Sequence, residues 1–563
     1  MRALPLLLAL ALVLPAAATS AEPEPTPGAR VSEALRALSG LAGVPAREAE
    51  AAPCPALPQA VAQLAAALAV PAPALPALAP AESDAIARLV CALRDANALR
   101  DAAFADIDAQ ALADEIGRET GEPRVALSAE HVAANAAGAR LVAEAVDHAL
   151  ATLRPRAPPS SLAPSSLSPP QYSFPPLLAL DLVGLDTYYG DDVALVVDVG
   201  GNDLYDNNAG GSLIAFGDGG FIPIHGDPSS FGPSQCVTFS CARVVIGGDF
   251  EDAELLFSAS LVLDLAGDDT YGVRRAPYHD LECTTEPVVR KVVIQGTGAG
   301  GPGLLFDLAG DNTFRAKTIA QGAGHVGGVG VLYLGPGNDR LEAVRFAQGS
   351  GLFFGLALLL DEGGDDVYAT QVPSGGVLNT DGGFCDAQPR YLHGSGFARV
   401  TGGASGVAGA LLDLGGNDVY VGDTKGLGFA EVASVGLFYD RSGDDTYYAV
   451  ARSLGYASGN TATSGGGLAL FHDGSGDDRY VLTTDQGLGA SPARIADASE
   501  VPFPYSPYTF WIDEVVTTFV DPVLVAGAAV FYDGGGNDVY DSPAARANGE
   551  ARATTIGGFF IDR

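Results

Sequence analysis

The 563-residue sequence is poor in positive charge. It has 31 Lys and Arg residues against 68 Asp and Glu residues, a formal net charge of −37, and only three of the basic residues are lysines. Proteins that bind nucleic acids or anionic membrane surfaces need clustered basic residues. The composition therefore predicts a protein that has no nucleic-acid partner and does not depend on an anionic membrane surface.

Long apolar runs are also scarce. Arg2 and the run LPLLLALALVLP open the chain and are followed by the small residues AAATSA. This run is too short to span a bilayer and is typical of a secretory signal peptide, and no later stretch approaches ~18 uninterrupted apolar residues. We therefore predict a signal peptide over residues 1–21 and no integral membrane segment. The mature protein is expected to be secreted, held at the cell surface, or periplasmic in a bacterium.

Cysteine is limited to six residues, which are Cys54, Cys91, Cys236, Cys241, Cys283 and Cys385. None of their spacings fits a zinc site, and an even count in an exported chain favours disulfides over free buried thiols. Within the N-terminal region, Cys54 and Cys91 are the natural pair.

Composition divides the rest of the chain. Residues 30–153 are rich in Ala, Leu, Glu and Arg, with apolar residues at three-to-four spacing, and predict a small all-α domain. Ser32, Ser83 and Ser128 precede three of these periodic stretches and are predicted N-caps. Residues 154–176 are rich in Pro and Ser, which indicates an extended linker. The remainder, residues 177–563, contains the repeats.

Three passes of one pattern, GLLFDLAGDNTF, GVLYLGPGNDRL and ALLLDEGGDDVY, follow one another from Gly303 to Tyr368. The last polar residues of their turns, Asn312, Asp339 and Asp366, lie 27 residues apart, and the motifs IAQGAG and FAQGSG recur at the same interval. A fixed period of this size indicates stacked structural units. We predict a mainly β fold, a parallel β-solenoid with about 27 residues per coil, rather than a closed outer-membrane barrel, which does not require a shared polar turn.

The polar turn recurs ten times, as in DLGGNDVY starting at Asp413. Equivalent residues of a parallel solenoid stack ~4.8 Å apart, where two carboxylates repel by about 3–4 kcal/mol at an effective dielectric of ~20. Few Lys or Arg residues lie nearby, so the acids need another counter-charge, and calcium accepts six to eight oxygen ligands. Turns without metal are the alternative, because Asp and Asn also bond the local backbone. The predicted calcium ligands are Asp198, Asp203, Asp264, Asp269, Asp307, Asp361, Asp366, Asp413, Asp418, Asp440, Asp445, Asp473, Asp478, Asp533 and Asp538.

The turn sequences GGDDVY and GGNDVY resemble the nonapeptide of RTX (haemolysin-type) β-rolls, GGxGxDx followed by an apolar residue. Gly364 and Asp366 match its GxD portion, as do Gly416 and Asp418. In this chain Asp361 begins the stretch that aligns with the family's leading glycine pair, and the turns recur once per coil rather than back to back. The resemblance implies bound calcium and a parallel roll.

Long intervals between turns indicate inserted loops, near residues 206–249, 272–290 and 370–393, that should emerge from one edge of the solenoid. Polar residues in these loops are candidates for a carbohydrate-active β-helix enzyme, a lyase or hydrolase, which is the alternative function. These candidates are His225, Asp227, His279, Asp280, Glu282, Arg390 and His393.

The preferred hypothesis is non-catalytic, because the histidines form no tight cluster and no established catalytic motif is present. We expect an exported, calcium-stabilised repeat protein that serves as a surface, adhesive or ligand-binding scaffold. Its partner would be an extracellular ligand, either carbohydrate or protein. The turn tyrosines are expected to stack along the solenoid rather than bind ligand, and Gln321 and Gln348 to form an amide ladder inside it.

Overall fold

In the computed structural model, the described part of the chain is mainly β, with large parallel sheets and four helices that precede them. This architecture confirms the predicted parallel solenoid with a small α region. The described residues are 24–108, 111–112, 125–156, 167–212, 221–223, 243–245, 258–272, 290–291, 293–316, 319–343, 346–370, 396–397, 407–422, 425–431, 434–458, 467–484, 486–491, 494–495, 524–525, 528–543, 548–555 and 558–563.

Four helices lie in the described N-terminal residues, and they are α1 (Pro27–Leu41), α2 (Leu57–Ala67), α3 (Pro80–Ala103) and α4 (Ala129–Leu150). Ser128 is the N-cap of α4, as predicted, and its main-chain N–H donates to Nδ1 of His131 at 3.0 Å. The predictions for Ser32 and Ser83 are wrong, since both lie inside helices that begin earlier with a proline in the first turn. Proline suits that position because its φ is already helical and it needs no amide hydrogen bond there.

Three sheets form the walls of the solenoid, and we call the largest the main sheet. In spatial order the main sheet contains β1 (Tyr172–Phe174), β2 (Leu178–Asp181), β4 (Leu195–Asp198), β8 (Ser260–Asp264), β12 (Pro302–Asp307), β15 (Val329–Leu334), β18 (Leu356–Asp361), β21 (Ala408–Asp413), β24 (Val435–Asp440), β27 (Leu468–Asp473), β31 (Ala528–Asp533), β34 (Gly558–Asp562) and β33 (Ala551–Thr555). The second sheet contains β3 (Tyr188–Tyr189), β5 (Leu204–Tyr205), β9 (Thr270–Tyr271), β13 (Thr313–Arg315), β16 (Arg340–Ala343), β19 (Val367–Thr370), β22 (Val419–Val421), β25 (Thr446–Ala449), β28 (Arg479–Leu482) and β32 (Val539–Asp541). The third sheet contains β11 (Gly298–Ala299), β14 (Gly324–His325), β17 (Gly351–Leu352), β20 (Gly396–Phe397), β23 (Ala430–Glu431) and β26 (Ala457–Ser458).

Two small sheets complete the described strands. One contains β6 (Phe221–Pro223), β7 (Arg243–Val245) and β10 (Arg290–Lys291), and the other pairs β29 (Arg494–Ile495) with β30 (Leu524–Val525).

The register of the main sheet follows the sequence period. Val329 pairs with Leu356, 27 residues later, and Leu356 pairs directly with Ala408, 52 residues later. The longer interval therefore contains one coil and an insertion, and no additional main-sheet strand. Most residues of the inserted loops, with Cys236, Cys241, Cys283 and Cys385, lie outside the described residues, so their predicted edge and pairing stay predictions.

The main-sheet strands are buried on both faces, which explains their continuous apolar sequences. Leu305 and Leu332 face the interior of the solenoid, where they join the aromatic residues of the second sheet. Leu304 and Val331 lie on the outer face in one hydrophobic core with the helices. Helix α4 packs on β12 and β15, and α1 packs on β15, β18 and β21.

Polar contacts tie this helical layer to the coils. Asn135 donates from Nδ2 to the carbonyl oxygen of Gly327 at 2.8 Å, and Oδ1 of Asn97 accepts the N–H of Ala259 at 2.9 Å. Cys54 and Cys91 form the expected disulfide within the layer. The helices thus lie on the outer face of the solenoid, while the domain limits predicted at 30–153, 154–176 and 177–563 stay predictions.

Both edges of the main sheet end in an antiparallel strand. β1 pairs antiparallel with β2, and β33 pairs antiparallel with β34. An uncovered parallel edge would present free N–H and C=O groups to another chain, so this arrangement limits end-to-end association.

A column of glycines brings successive turns close together. A Cβ atom added to Gly416 would lie 1.5 Å from the carbonyl oxygen of Gly364, and one added to Gly443 would lie 1.5 Å from that of Gly416. Gly416 also has a φ of +156°, which L side chains rarely adopt. The glycine before the last polar pair of each turn is therefore required by the approach of the neighbouring coil.

We expect Gly416→Ala to destabilise the protein by roughly 2–4 kcal/mol, because the added methyl group forces two coils apart. Gly40→Ala in α1 is the matched control, since an added Cβ there meets nothing within 4 Å. It should be neutral or slightly stabilising, as glycine is a poor helix former. Chemical denaturation of both variants measures the difference, and equal stabilities would contradict the close approach.

Candidate metal centre

Each coil ends its main-sheet strand with an aspartate, and we call these residues the first row. The first row consists of Asp181, Asp198, Asp264, Asp307, Asp361, Asp413, Asp440, Asp473, Asp533 and Asp562, and it is interrupted by Leu334. Oδ1 of Asp361 accepts the N–H of Gly363 at 2.9 Å, and Oδ1 of Asp413 accepts that of Gly415 at 3.0 Å. This local bond orients the carboxyl group, so that Oδ2 faces the interior of the turn.

A second row follows five residues later in each turn. The second row consists of Asp203, Asp269, Asn312, Asp339, Asp366, Asp418, Asp445, Asp478 and Asp538. Here Oδ1 bonds between coils, because the N–H of Asp366 donates to Oδ1 of Asp418 at 2.6 Å and the N–H of Asp418 donates to Oδ1 of Asp445 at 2.6 Å. At the end of the row, Oδ1 of Asn548 accepts the N–H of Asp538. The row is therefore a continuous ladder of carboxyl groups along the solenoid.

The turn tyrosines form a stacked column beside the first row. Tyr420 stacks on Tyr368 at a centroid distance of 4.9 Å and on Tyr447 at 5.1 Å, with the rings within a few degrees of parallel. These rings are fully buried. Their hydroxyl groups reach the first row, and that of Tyr447 lies 2.8 Å from Oδ2 of Asp473. The predicted stacking is confirmed, and the hydroxyls add a contact with the acids.

Carboxylates from the two rows meet in groups of three. Each C-terminal group joins a second-row aspartate to both aspartates of the next coil, with one oxygen of each within 4.8 Å of the others. These groups are Asp339, Asp361 and Asp366; Asp366, Asp413 and Asp418; Asp418, Asp440 and Asp445; and Asp445, Asp473 and Asp478. A further group in the N-terminal coils joins Asp198, Asp203 and Asp264.

Several second-row carboxylates have an unsatisfied oxygen inside these groups. Oδ2 of Asp339, Asp366 and Asp478 accepts no hydrogen bond within the described part of the chain, although each residue is only 1–2% exposed. A buried polar atom without a partner is costly, and here it belongs to a group of like charges. In the described ion pairs, no Lys or Arg contacts either row. A cation or protons must therefore compensate the charge.

Burial changes the protonation of these groups when no cation is bound. Burial, together with the adjacent Asp413, raises the pKa of Asp366 to about 8 and that of Asp418 to about 9. Burial also raises the pKa of Asp440 well above its usual range, with Asp413 adding to the effect. The metal-free protein is thus expected to hold protons in both rows near neutral pH.

The donor set fits calcium. Hard oxygen ligands surround Ca²⁺ at 2.3–2.6 Å, so oxygens bound to one ion lie no more than about 5 Å apart. The 4.8 Å spread of each group meets that condition. One divalent cation per coil also balances the two buried carboxylates that each complete turn contributes. Calcium, when bound, would supply positive charge and coordinate the oxygens that the protein leaves unsatisfied.

All fifteen predicted ligands lie in these two rows, and fourteen of them are buried, whereas Asp538 near the C-terminal end is partly exposed. Two members of the rows were missing from the prediction. Asp339 belongs to a group of three although its turn has Leu334 in place of the first aspartate, and Asp562 accepts a contact from Tyr540 at 2.7 Å. Position in the repeat identifies both. That these residues bind calcium stays a prediction.

Other predicted polar features have different outcomes. Gln321 and Gln348 do not bond to each other, because each donates from Nε2 to a main-chain carbonyl oxygen at 3.1 Å. The predicted amide ladder is therefore wrong, since the polypeptide carbonyls at the corner offer nearer acceptors. The enzyme candidates His225, Asp227, His279, Asp280, Glu282, Arg390 and His393 lie outside the described residues.

Comparisons with family models, with curated proteins and with solved structures give no match to this chain. Among the described residues, none of the helices has the length and apolar character needed to cross a membrane. The functional argument therefore depends on the geometry of the two aspartate rows.

We expect the metal-free protein to lose stability as pH rises. Its carboxyl groups have raised pKa values, so the folded state retains protons that the unfolded chain releases above about pH 4, and stability falls as pH passes through the folded pKa values. Asp445, with a pKa raised to about 6, alone contributes about 3 kcal/mol. Thermal unfolding of chelator-treated protein should show a midpoint roughly 10 °C or more lower at pH 8 than at pH 5. A midpoint that rises with pH would contradict the assignment of buried, proton-holding rows.

Proposed function

We propose that this chain is an exported, non-catalytic repeat protein that calcium stabilises and that serves as a surface, adhesive or ligand-binding scaffold. The observation that carries the proposal is the set of buried aspartate groups whose Oδ2 atoms lack partners and whose charge no basic residue balances. Extracellular calcium sites with dissociation constants of ~10⁻⁴–10⁻³ M are sufficient for a protein that works outside the cell.

A structural role suits these acids better than catalysis. Asp361, Asp413 and Asp440 are 0% exposed, so a substrate in solution cannot reach them. Their repetition along the coils also supports a cumulative effect on stiffness, because each coil contacts only its neighbours. The Cys54–Cys91 disulfide supports an oxidising destination outside the cytosol.

The scaffold role follows from what remains accessible. A rigid, capped solenoid presents inserted loops in fixed order along its length, and such loops are the usual recognition elements of repeat proteins. The negative net charge and the exposed acids of the turns favour ligands that are neutral or positively charged. An extracellular carbohydrate or protein is therefore the proposed partner. The RTX-type turn sequences support calcium without specifying the ligand.

We expect calcium to reverse the pH response of the metal-free protein. Coordination requires ionised carboxylates, so calcium affinity and calcium-bound stability increase with pH. At a concentration 100 times the dissociation constant, each site adds about 2.7 kcal/mol. The measurement is the thermal midpoint of the full chain in calcium and in chelator at pH 5 and pH 8. Magnesium is the control ion, since it prefers smaller octahedral sites and retains water. An unchanged midpoint in calcium at pH 8 would refute the proposal.

Two neighbouring aspartates provide a matched pair of variants. Asp445 is buried and belongs to two of the groups, whereas the adjacent Asp444 is exposed. Asn312 shows that the second row accepts Asn, since its Oδ1 still accepts the N–H of Asp269 at 2.8 Å. Asp445→Asn should lower the calcium-induced rise of the thermal midpoint by more than half, because two groups each lose an anionic ligand.

The same substitution should leave the metal-free protein at pH 8 as stable as the parent or more stable, because it removes a buried ionisable carboxyl. Asp444→Asn should change neither quantity, since Asn can keep the Oδ1 acceptor for the N–H of Asp477. Equal calcium responses of the two variants would show that the binding sites lie elsewhere.

A further inference from the structure

The tyrosine column differs between the two ends of the solenoid. In the N-terminal arm, Tyr189, Tyr205 and Tyr271 each contact one first-row carboxylate, that of the next coil. In the C-terminal arm, each tyrosine hydroxyl lies between two first-row carboxylates. The C-terminal arm comprises Tyr368, Tyr420, Tyr447, Tyr480 and Tyr540 with Asp361, Asp413, Asp440, Asp473, Asp533 and Asp562.

The C-terminal contacts form an unbroken chain of oxygen atoms. Tyr420 Oη lies 2.9 Å from Oδ2 of Asp413 and 2.9 Å from Oδ2 of Asp440, and Tyr447 Oη lies 3.1 Å from Oδ2 of that same Asp440. Over the whole arm, ten such contacts of 2.6–3.1 Å join five hydroxyls to six carboxyl groups.

Proton counting shows what these contacts require. Each phenol has one hydrogen to donate, so five hydroxyls satisfy five of the ten contacts. If the aspartates are ionised, as calcium coordination requires, the other five contacts place two lone-pair oxygens about 3 Å apart with no hydrogen between them. Oxygens that share a bound cation can lie this close. The N-terminal arm has no such deficit, because its three contacts match its three phenol hydrogens.

The hydroxyls also reach the second row. Tyr447 Oη lies 3.3 Å from Oδ2 of Asp445 and Tyr420 Oη lies 3.5 Å from Oδ2 of Asp418, so each hydroxyl borders a whole group of three carboxylates. Three carboxylates acting through one oxygen each supply only half of the six to eight ligands that calcium prefers. The two hydroxyls beside each group increase the number of available protein oxygens.

The chain itself pairs the presence of acid and hydroxyl. Where Leu334 interrupts the first row, the two aromatic-column residues that would flank it are Phe314 and Leu341, neither of which has a hydroxyl. Phe314 still stacks on Tyr271 at 4.3 Å, so ring stacking alone does not require the oxygen. Hydroxyls are present only where first-row carboxylates can use them.

We infer that the tyrosine hydroxyls of the C-terminal arm are themselves cation ligands, which complete a row of buried oxygen sites for calcium or a similar hard cation. This inference rests on the proposed calcium binding and specifies its ligands. It also makes the two arms unequal, with the stronger calcium dependence in the C-terminal arm.

The test compares Tyr447→Phe with Tyr439→Phe in the full chain. Phenylalanine fits the column, as Phe314 shows, and Tyr439 lies on the outer face of the same coil, away from the acids. Calorimetric calcium titration near neutral pH should show at least one site of Tyr447→Phe weakened about tenfold or more, with Tyr439→Phe unchanged. Tyrosine-sensitised emission of bound Tb³⁺ should fall in Tyr447→Phe only. Tyr420→Phe repeats the experiment one coil away if Tyr447→Phe does not fold.

The outcomes separate the inference from the proposed function. A parent protein that binds no calcium refutes both. A parent that binds calcium, with Tyr447→Phe binding at the same affinity and stoichiometry, overturns the inference and leaves the proposed function standing. A loss of thermal stability in Tyr447→Phe that is equal in calcium and in chelator assigns the hydroxyl a purely structural role and also overturns it.

Discussion

In-register stacking of identical positions is the constraint on which the rest of this structure depends. Because each coil hydrogen-bonds to the next at the same residue positions, every side chain meets a copy of itself about one strand spacing away. Such self-contact favours some residues and penalises others. Tyr368 and Tyr420 gain from it, since parallel offset rings attract. Gly364 and Gly416 permit it, because any Cβ would collide with the neighbouring turn. Asp366 and Asp418 are penalised unless protons or a cation separate their charges.

The repeat made much of this architecture predictable. The 27-residue interval and the shared turn indicated the solenoid, and the order of residues in the turn placed fifteen aspartates in two rows. Sequence alone did not show that these acids are almost fully buried, because Asp and Asn in turns normally face water. Nor did it reveal the groups of three, which arise from carboxylates in adjacent coils. Asp339 was overlooked because Leu334 disguised its turn, although its distance from Asp366 identified it.

The helical layer was the least predictable feature. Its amphipathic helices were recognised, but a Pro- and Ser-rich segment suggested separation from the repeats. The relevant signal lay in the main-sheet strands, which are apolar at successive positions where a sheet with one face in water would alternate. Leu304 and Leu305 both need cover, one from the helices and one from the coil interior. The helix starts were misplaced for a simpler reason, since Pro27 and Pro80 begin their helices before the serines that resemble N-caps.

The location of the helices is related to the interruption of the acid rows. Helix α4 packs on the outer faces of β12 and β15, the coils in which Asn312 and Leu334 replace aspartates and Phe314 and Leu341 replace tyrosines. These coils have apolar packing on both sides of the main sheet, so they need less support from charged turns. The C-terminal coils beyond the helices have the complete set of paired acids and hydroxyls. Two sources of stability thus appear to alternate along one solenoid only in position, because each follows from what covers the coil: helices outside at its centre, and a balanced row of oxygens inside toward its C-terminal end.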